Sequence, residues 1–261
     1  MLQGAGWDQD LVFIGDIHRQ WRYVAEGLAK SARRPRVAVL LGDMECDKPL
    51  DIGAAPLLDA GIEVYWIWGN HDYDGGPEMW SNLVDHERNP LTRHGVLNAR
   101  VTEIGGLRIA GLGGTFRRRV WEPPETPRLQ ARDELHEDMK SLGPDWTKEQ
   151  RRSMAEALAA MAIWPEDVEA LASQRADVLV THEAPSSHPQ GVSFIDALAR
   201  KMGVRLVIHG HHHVCYRARA EDGLQVQGVG AAWGIGLDGR PWWPGEANRW
   251  LGNAPSGWAH L

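Results

Sequence analysis

Five short blocks of this sequence carry residue types that hold divalent metals. They are Gly15-Asp16-Ile17-His18, Gly42-Asp43, Gly69-Asn70-His71-Asp72, Thr181-His182-Glu183 and Gly210-His211-His212-His213. Carboxylate, amide and imidazole donors without thiolate suit hard-to-borderline cations such as Mn, Fe, Zn or Mg. Each block alone is weak: an Asp-x-His can cap a helix, and with 12 histidines in 261 residues an H-x-H pair arises by chance. Their order is more telling. All five stand where an apolar run stops, and most have a glycine ahead. In open α/β sheets, ligands bind just beyond the carboxyl ends of the strands, so residues from five strand ends would converge on one site.

The runs that must position them are short and rich in Val, Ile and Leu: residues 11–14, 37–41, 64–68, 107–112, 178–181, 204–209 and 224–229. Helix-like stretches at 21–31 and 54–60 alternate with the early runs, a pattern that reads as α/β. From 116 to 176 no strand run occurs. That stretch opens on Pro123, Pro124 and Pro127 and continues with helical patterns at 148–163 and 166–174, Pro165 standing at the first turn of the second. It reads as a helical excursion within a single domain spanning 1–261. The ending, 233–261, is rich in Trp, Gly and Pro and shows no periodicity.

Composition narrows the class. With 43% hydrophobic and 24% charged residues, the chain is ordinary globular material rather than disordered or coiled coil. Two cysteines, Cys46 and Cys215, cannot build a disulfide framework. No apolar run approaches a membrane span, and residues 1–10 lack the pattern of a signal peptide. A cytoplasmic protein without membrane attachment is the expectation. A formal charge of −7, from 35 acidic and 28 basic residues, disfavours nucleic acid as a partner held by the whole-molecule field, while leaving room for a local basic patch.

The ordered blocks resemble the pattern D-x-H, G-D, G-N-H-[DE], H, G-H-x-H of the calcineurin-like metallophosphoesterase superfamily. The resemblance spans Asp16 to His213. It implies an αββα sandwich, two packed mixed β-sheets flanked by helices, and a di-metal phosphoesterase. Its cofactors would be two divalent ions, Mn first, with Fe, Zn, Mg or Ni as alternatives. Carried onto this chain, Asp16, His18 and His213 would hold the first metal, Asn70, His182 and His211 the second, and Asp43 would bridge them. A metal-bridging hydroxide would attack phosphorus in line, and His71 would act as acid at the leaving oxygen.

The chain departs from the protein Ser/Thr phosphatase branch, which carries G-D-x-x-D-R-G and R-G-N-H-E. Here the stretches read Gly42-Asp43-Met44-Glu45-Cys46-Asp47-Lys48 and Trp68-Gly69-Asn70-His71-Asp72. Both phosphate-gripping arginines are missing, which favours phosphodiester or small-molecule substrates. Cys46 replaces the aspartate that orients the catalytic histidine in that branch, leaving Asp47 or Asp72 as substitutes. Arg117, in the triplet Arg117-Arg118-Arg119 after Gly113-Gly114-Thr115-Phe116, is a candidate for substrate binding; solvated charge at the start of the excursion is the competing reading. Cys46 and Cys215 read as buried thiols, and His209 and His212 as packing or supporting residues. Trp233, Trp242, Trp243, Trp250 and Trp258 read as packing or interface rather than a wall for a nucleobase. A Ser/Thr protein phosphatase, a nuclease and a catalytically silent metal-binding scaffold are the alternatives. The complete ligand set speaks against the last, and the absence of an evident basic groove against the second.

Overall fold

The computed structural model describes residues 10–247 and 255–260. Its twelve strands form two sheets. The strands are β1 (Leu11–Ile14), β2 (Val37–Leu40), β3 (Glu63–Trp66), β4 (Arg100–Ile104), β5 (Leu107–Leu112), β6 (Val178–Thr181), β7 (Leu206–His209), β8 (Tyr216–Ala220), β9 (Gln225–Gly228), β10 (Gly234–Gly236), β11 (Pro241–Trp243) and β12 (Trp258–His260). The first sheet runs β11-β10-β1-β2-β3, and the second β12-β8-β9-β7-β6-β5-β4. Strands β1, β2 and β3 are parallel, as are β5, β6, β7 and β9; antiparallel strands close the edges at β11, β12 and β4, while the parallel β3 forms the fourth.

Among the described residues eight α-helices accompany them: α1 (Trp21–Lys30), α2 (Leu50–Gly53), α3 (Ala55–Leu58), α4 (Pro77–Val84), α5 (Leu135–Lys140), α6 (Lys148–Met161), α7 (Pro165–Ala172) and α8 (Ser193–Met202). Pro165 occupies the first turn of α7, and Thr147 with Gln150 closes a reciprocal capping box on α6.

The layering follows from strands apolar on both faces. Leu11 and Phe13 share one core with Val37, Val39, Val178, Val180, Leu206 and Ile208, so that core lies between the sheets. Val12 and Ile14 point the other way, into a core with α1 and α2. Leu179 and Val207 likewise face α7 and α8. Such two-sided burial is what helix-covered parallel sheets require, and it gives two mixed sheets flanked by helices, in agreement with the sequence reading.

Several elements escaped that reading. Strands β4, β8, β10, β11 and β12 and helices α2, α4, α5 and α8 were unanticipated, and the segment from 233 onward contains strands rather than irregular chain. Trp243 is 2% exposed. It lies between α1 and β10, where a Cβ on Gly27 would stand 2.2 Å from its Cγ and one on Gly234 2.4 Å from its Cε2. The packing reading thus holds for Trp243. Trp233 and Trp258 pack partly buried against the sandwich and Trp242 sits under Arg33; Trp250 lies outside the described residues. Trp243→Ala removes the residue that fills a gap bounded by two glycines, and should cost about 3–5 kcal/mol of stability. Urea unfolding of the variant checks this.

Candidate dinuclear metal site

The loops leaving β1, β2, β3, β6 and β7 meet at one end of the sandwich and bring all seven candidate ligands together. One atom each from Asp16, His18 and His213 lies within 4.8 Å of the others, and the same holds for Asp43, His182 and His211. Asp43 stands between the groups, its Oδ2 3.2 Å from His182 Nε2 and 3.9 Å from His18 Nε2. Asn70 joins the second group, its Oδ1 3.1 Å from His182 Nε2.

The backbone makes this convergence by unusual means. Asp16, His18, Asp43, His211 and His213 all have positive φ, between 29° and 70°. L-residues with side chains rarely adopt that region, and such strain clusters at functional sites. Close approach matters too: a Cβ on Gly69 would lie 2.1 Å from Asp43 Oδ1 and 2.6 Å from His182 Cε1. Gly69→Ala therefore pushes directly on the residue between the two groups. It should lower bound metal and turnover about 10–100-fold, the scale on which disturbed supports of a metal ligand act, with circular dichroism unchanged.

Neighbours fix the orientation of several candidate ligands. His182 Nδ1 bonds the Leu41 carbonyl at 2.7 Å, which leaves Nε2 toward Asp43 and Asn70. His18 Nδ1 bonds Glu45 Oε1 at 2.5 Å, and Glu45 Oε2 is held by Arg19 at 2.7 Å. The His71 N–H donates to Asp43 Oδ1 and the His211 N–H to Asp16 Oδ1, both at 2.8 Å. Glu45 was missed by sequence reasoning; its only signal is a place two residues after Asp43.

The electrostatics ask for more positive charge than the side chains supply. Asp16 and Asp43 are buried, and the Oδ2 of each has no hydrogen-bond partner among the described residues. Burial pushes Asp16 up to about 7, with the Asp43 charge adding to the effect. Burial works the same way on Asp43, but the charge of His182, whose Nε2 is 3.2 Å from Oδ2, outweighs it and holds that carboxyl below the usual range. His182 is drawn up to about 10 by Asp43 and Asp16 against the opposing effect of burial. Orphaned carboxylate oxygens amid clustered imidazoles fit divalent cations by donor type and by charge.

His71 stands at the rim, its ring 5.6 Å from His18 and its side chain 46% exposed. Its Nδ1 bonds Asp74 Oδ2 at 2.6 Å. This corrects the expectation that Asp47 or Asp72 supports it. Asp47 pairs with Arg19. Asp72 is fully buried and accepts the backbone N–H groups of Asp43, Glu45 and Gly69 at 2.8–3.0 Å, so it organises the loops. Burial tends to discharge His71, but the Asp74 hydrogen bond and the charges of Asp43, Asp74 and Glu45 prevail and raise its pKa.

The arginine triplet divides. Arg118 faces Glu122 at the surface and Arg119 bonds Asp138 at 2.6 Å. Arg117 is half-buried and close enough for its charge to act on both neighbours: it opposes the burial that raises the Glu183 carboxyl and adds to the burial that lowers His211. His212 stacks on His188, ring centroids 3.9 Å apart, and His209 bonds the Tyr216 hydroxyl. Cys46 is buried and Cys215 half-buried, and the Cys215 Sγ accepts the Gly230 N–H at 3.1 Å.

The family model described as calcineurin-like phosphoesterase matches residues 10–215. The chain belongs to this family. This phosphoesterase is 34% identical over 225 residues to an uncharacterised Haemophilus influenzae protein, covering 84% of its own length and 90% of that protein's. Its fold is similar to that of a Thermus thermophilus protein, with TM-score 0.54 at 14% identity, covering 88% of this chain and 96% of that one. It is likewise similar to a dimetal phosphatase from Danio rerio, TM-score 0.54 at 14% identity, with coverage of 85% and 87%. Family membership makes it a metal-dependent phosphoester hydrolase of the dinuclear type. Among the described residues no helix is long and apolar enough to cross a membrane.

Proposed function

We propose that the phosphoesterase hydrolyses phosphodiesters or small phosphorylated molecules, with Mn as the preferred metal. Asp16, His18 and His213 would hold one ion, Asn70, His182 and His211 the other, with Asp43 serving both. When bound, the pair supplies positive charge to the phosphoryl oxygens and a water acidified toward neutrality as nucleophile. His71 delivers a proton to the departing oxygen, its Nδ1 engaged by Asp74 so that Nε2 is the proton-bearing edge. Arg117, in the loop leaving β5 at the same end of the sheet, contacts the phosphoryl group from beside His211. The observation that carries this reading is the placement of Asp43 between two histidine-containing groups, with His71 beside it at the solvent-facing rim.

The substrate preference rests on which cations surround the site. The two arginines that would clamp a phosphoryl group bidentately in the protein phosphatases are absent, and Arg117 alone of its triplet stands beside the ligands. A competitive panel of bis(nitrophenyl) phosphate, nitrophenyl phosphate and a phosphoserine peptide, run with Mn after chelation, tests this. The diester or the small monoester should have the highest kcat/KM. Dominance of the phosphopeptide would assign the chain to protein dephosphorylation.

A further inference from the structure

The helical excursion contains a cleft of about 860 Å³ between α5 and α6. Leu135, Met139, Ala155 and Ala159 give it an apolar lining. Its edges carry five Lys and Arg side chains against two carboxylates, a surplus of positive charge in a chain whose net charge is −7. None of the proposed metal ligands lines it, so it is separate from the dinuclear site.

Where that positive charge sits identifies what it can meet. Arg132 is spent on Asp167 and Glu166, and Arg152 on Glu156. Among the described residues the Arg151 guanidinium bonds backbone carbonyls, those of Met139, Lys140, Gly143 and Trp146, which ties the connector between α5 and α6 in place without neutralising the charge. Lys148 is exposed and forms no ion pair among the described residues. Lys140 pairs with Glu137 at the surface, both well exposed, and such pairs contribute little. Lys140, Lys148 and Arg151 thus form a cationic edge above an apolar floor.

We propose that this cleft binds a single-chain anionic amphiphile, an acyl chain lying on the apolar floor with its carboxylate or phosphate head on Lys140, Lys148 and Arg151. The volume falls within the range of roughly 300–1,000 Å³ usual for small-molecule pockets. An amphipathic partner helix fits less well. The α5 wall has six residues, about 9 Å of helix, which is too short to seat anchors at i, i+3, i+4 and i+7.

The test is direct binding to the full chain, read both with metal and after chelation, so that it does not depend on hydrolysis. Parinarate, a fluorescent long-chain fatty acid anion, is titrated beside its neutral methyl ester and beside hexanoate. Parinarate should bind saturably in both metal states, with the ester and hexanoate each weaker by at least about tenfold. Ala155→Trp fills the cleft and should abolish binding. Lys140→Glu combined with Lys148→Glu, both at exposed positions, should reduce the acid to the affinity of the ester without shifting Tm. Equal binding of acid and ester, binding unaffected by either variant, or capture only by anionic phospholipid vesicles would overturn the proposal.

Discussion

Asp43→Asn should be the most damaging single change to a ligand, and chelation should reproduce its effect in the unaltered enzyme. The carboxylate is buried, stands within reach of both histidine groups and is held charged by His182. Asparagine keeps the shape and removes the negative charge where two cations would meet. The remaining ligands would then have to hold two divalent ions against their own repulsion with Asp16 as the sole carboxylate. Turnover should fall by more than about 100-fold, beyond what loss of an outer supporting residue costs. Bound metal, measured by mass spectrometry, should drop with it. Glu45→Gln is the graded comparison: it weakens the hold on His18 and should cost about 10–100-fold while circular dichroism stays unchanged. Chelated enzyme that hydrolyses esters at full rate with no metal bound would sink the dinuclear reading.

The parts legible in the sequence share one physical property: their chemistry is local. Strands β1, β2 and β6 are nearly continuous apolar runs because both faces are buried, and each leads within three residues to a candidate ligand. The seven ligand candidates all stand just past the ends of β1, β2, β3, β6 and β7. The elements that escaped are ones whose signals are weak or divided. Strand β4 is an edge strand with Arg100 and Glu103 exposed, so its apolar content is diluted. Strands β10, β11 and β12 have three residues each; β10 depends on β1 and β12 on β8, both far away in the chain, and β11 joins the sheet through β10. Helix α8 is different. Its buried Ile195, Leu198, Ala199 and Met202 follow the i, i+3, i+4, i+7 spacing and could have been read directly.

The supporting residues of the site show a second limit. Asp72 is adjacent to His71 in sequence and Asp47 near Asp43, so proximity along the chain made both plausible partners for that histidine. The loop geometry decides otherwise. Asp72 turns inward to collect three backbone N–H groups, and the exposed Asp74 reaches back over three residues to Nδ1. Nothing in residue type separates three aspartates within one pair of loops; only the direction of each side chain does.

That assignment gives the last prediction, which isolates His71 and Asp74. His71→Ala should leave metal content near normal, because the imidazole faces the rim while only its backbone N–H bonds Asp43. The effect on rate should depend on the leaving group. An alkoxide needs a proton as it departs, so kcat for alkyl esters should fall by about 10²–10⁴-fold, the usual worth of general acid catalysis. Nitrophenolate leaves well without one, and its ester should lose far less. Asp74→Asn tests the positioning role: the imidazole remains, but its orientation and proton affinity weaken. The loss should again be confined to poor leaving groups and should be smaller than that of His71→Ala. Asp72→Asn should behave differently, lowering bound metal and damaging both substrates alike, because it loosens the loops that carry Asp43 and Gly69. Equal losses for the two leaving groups in His71→Ala, with metal retained and chemistry rate-limiting, would remove His71 from the acid role and Asp74 from its support.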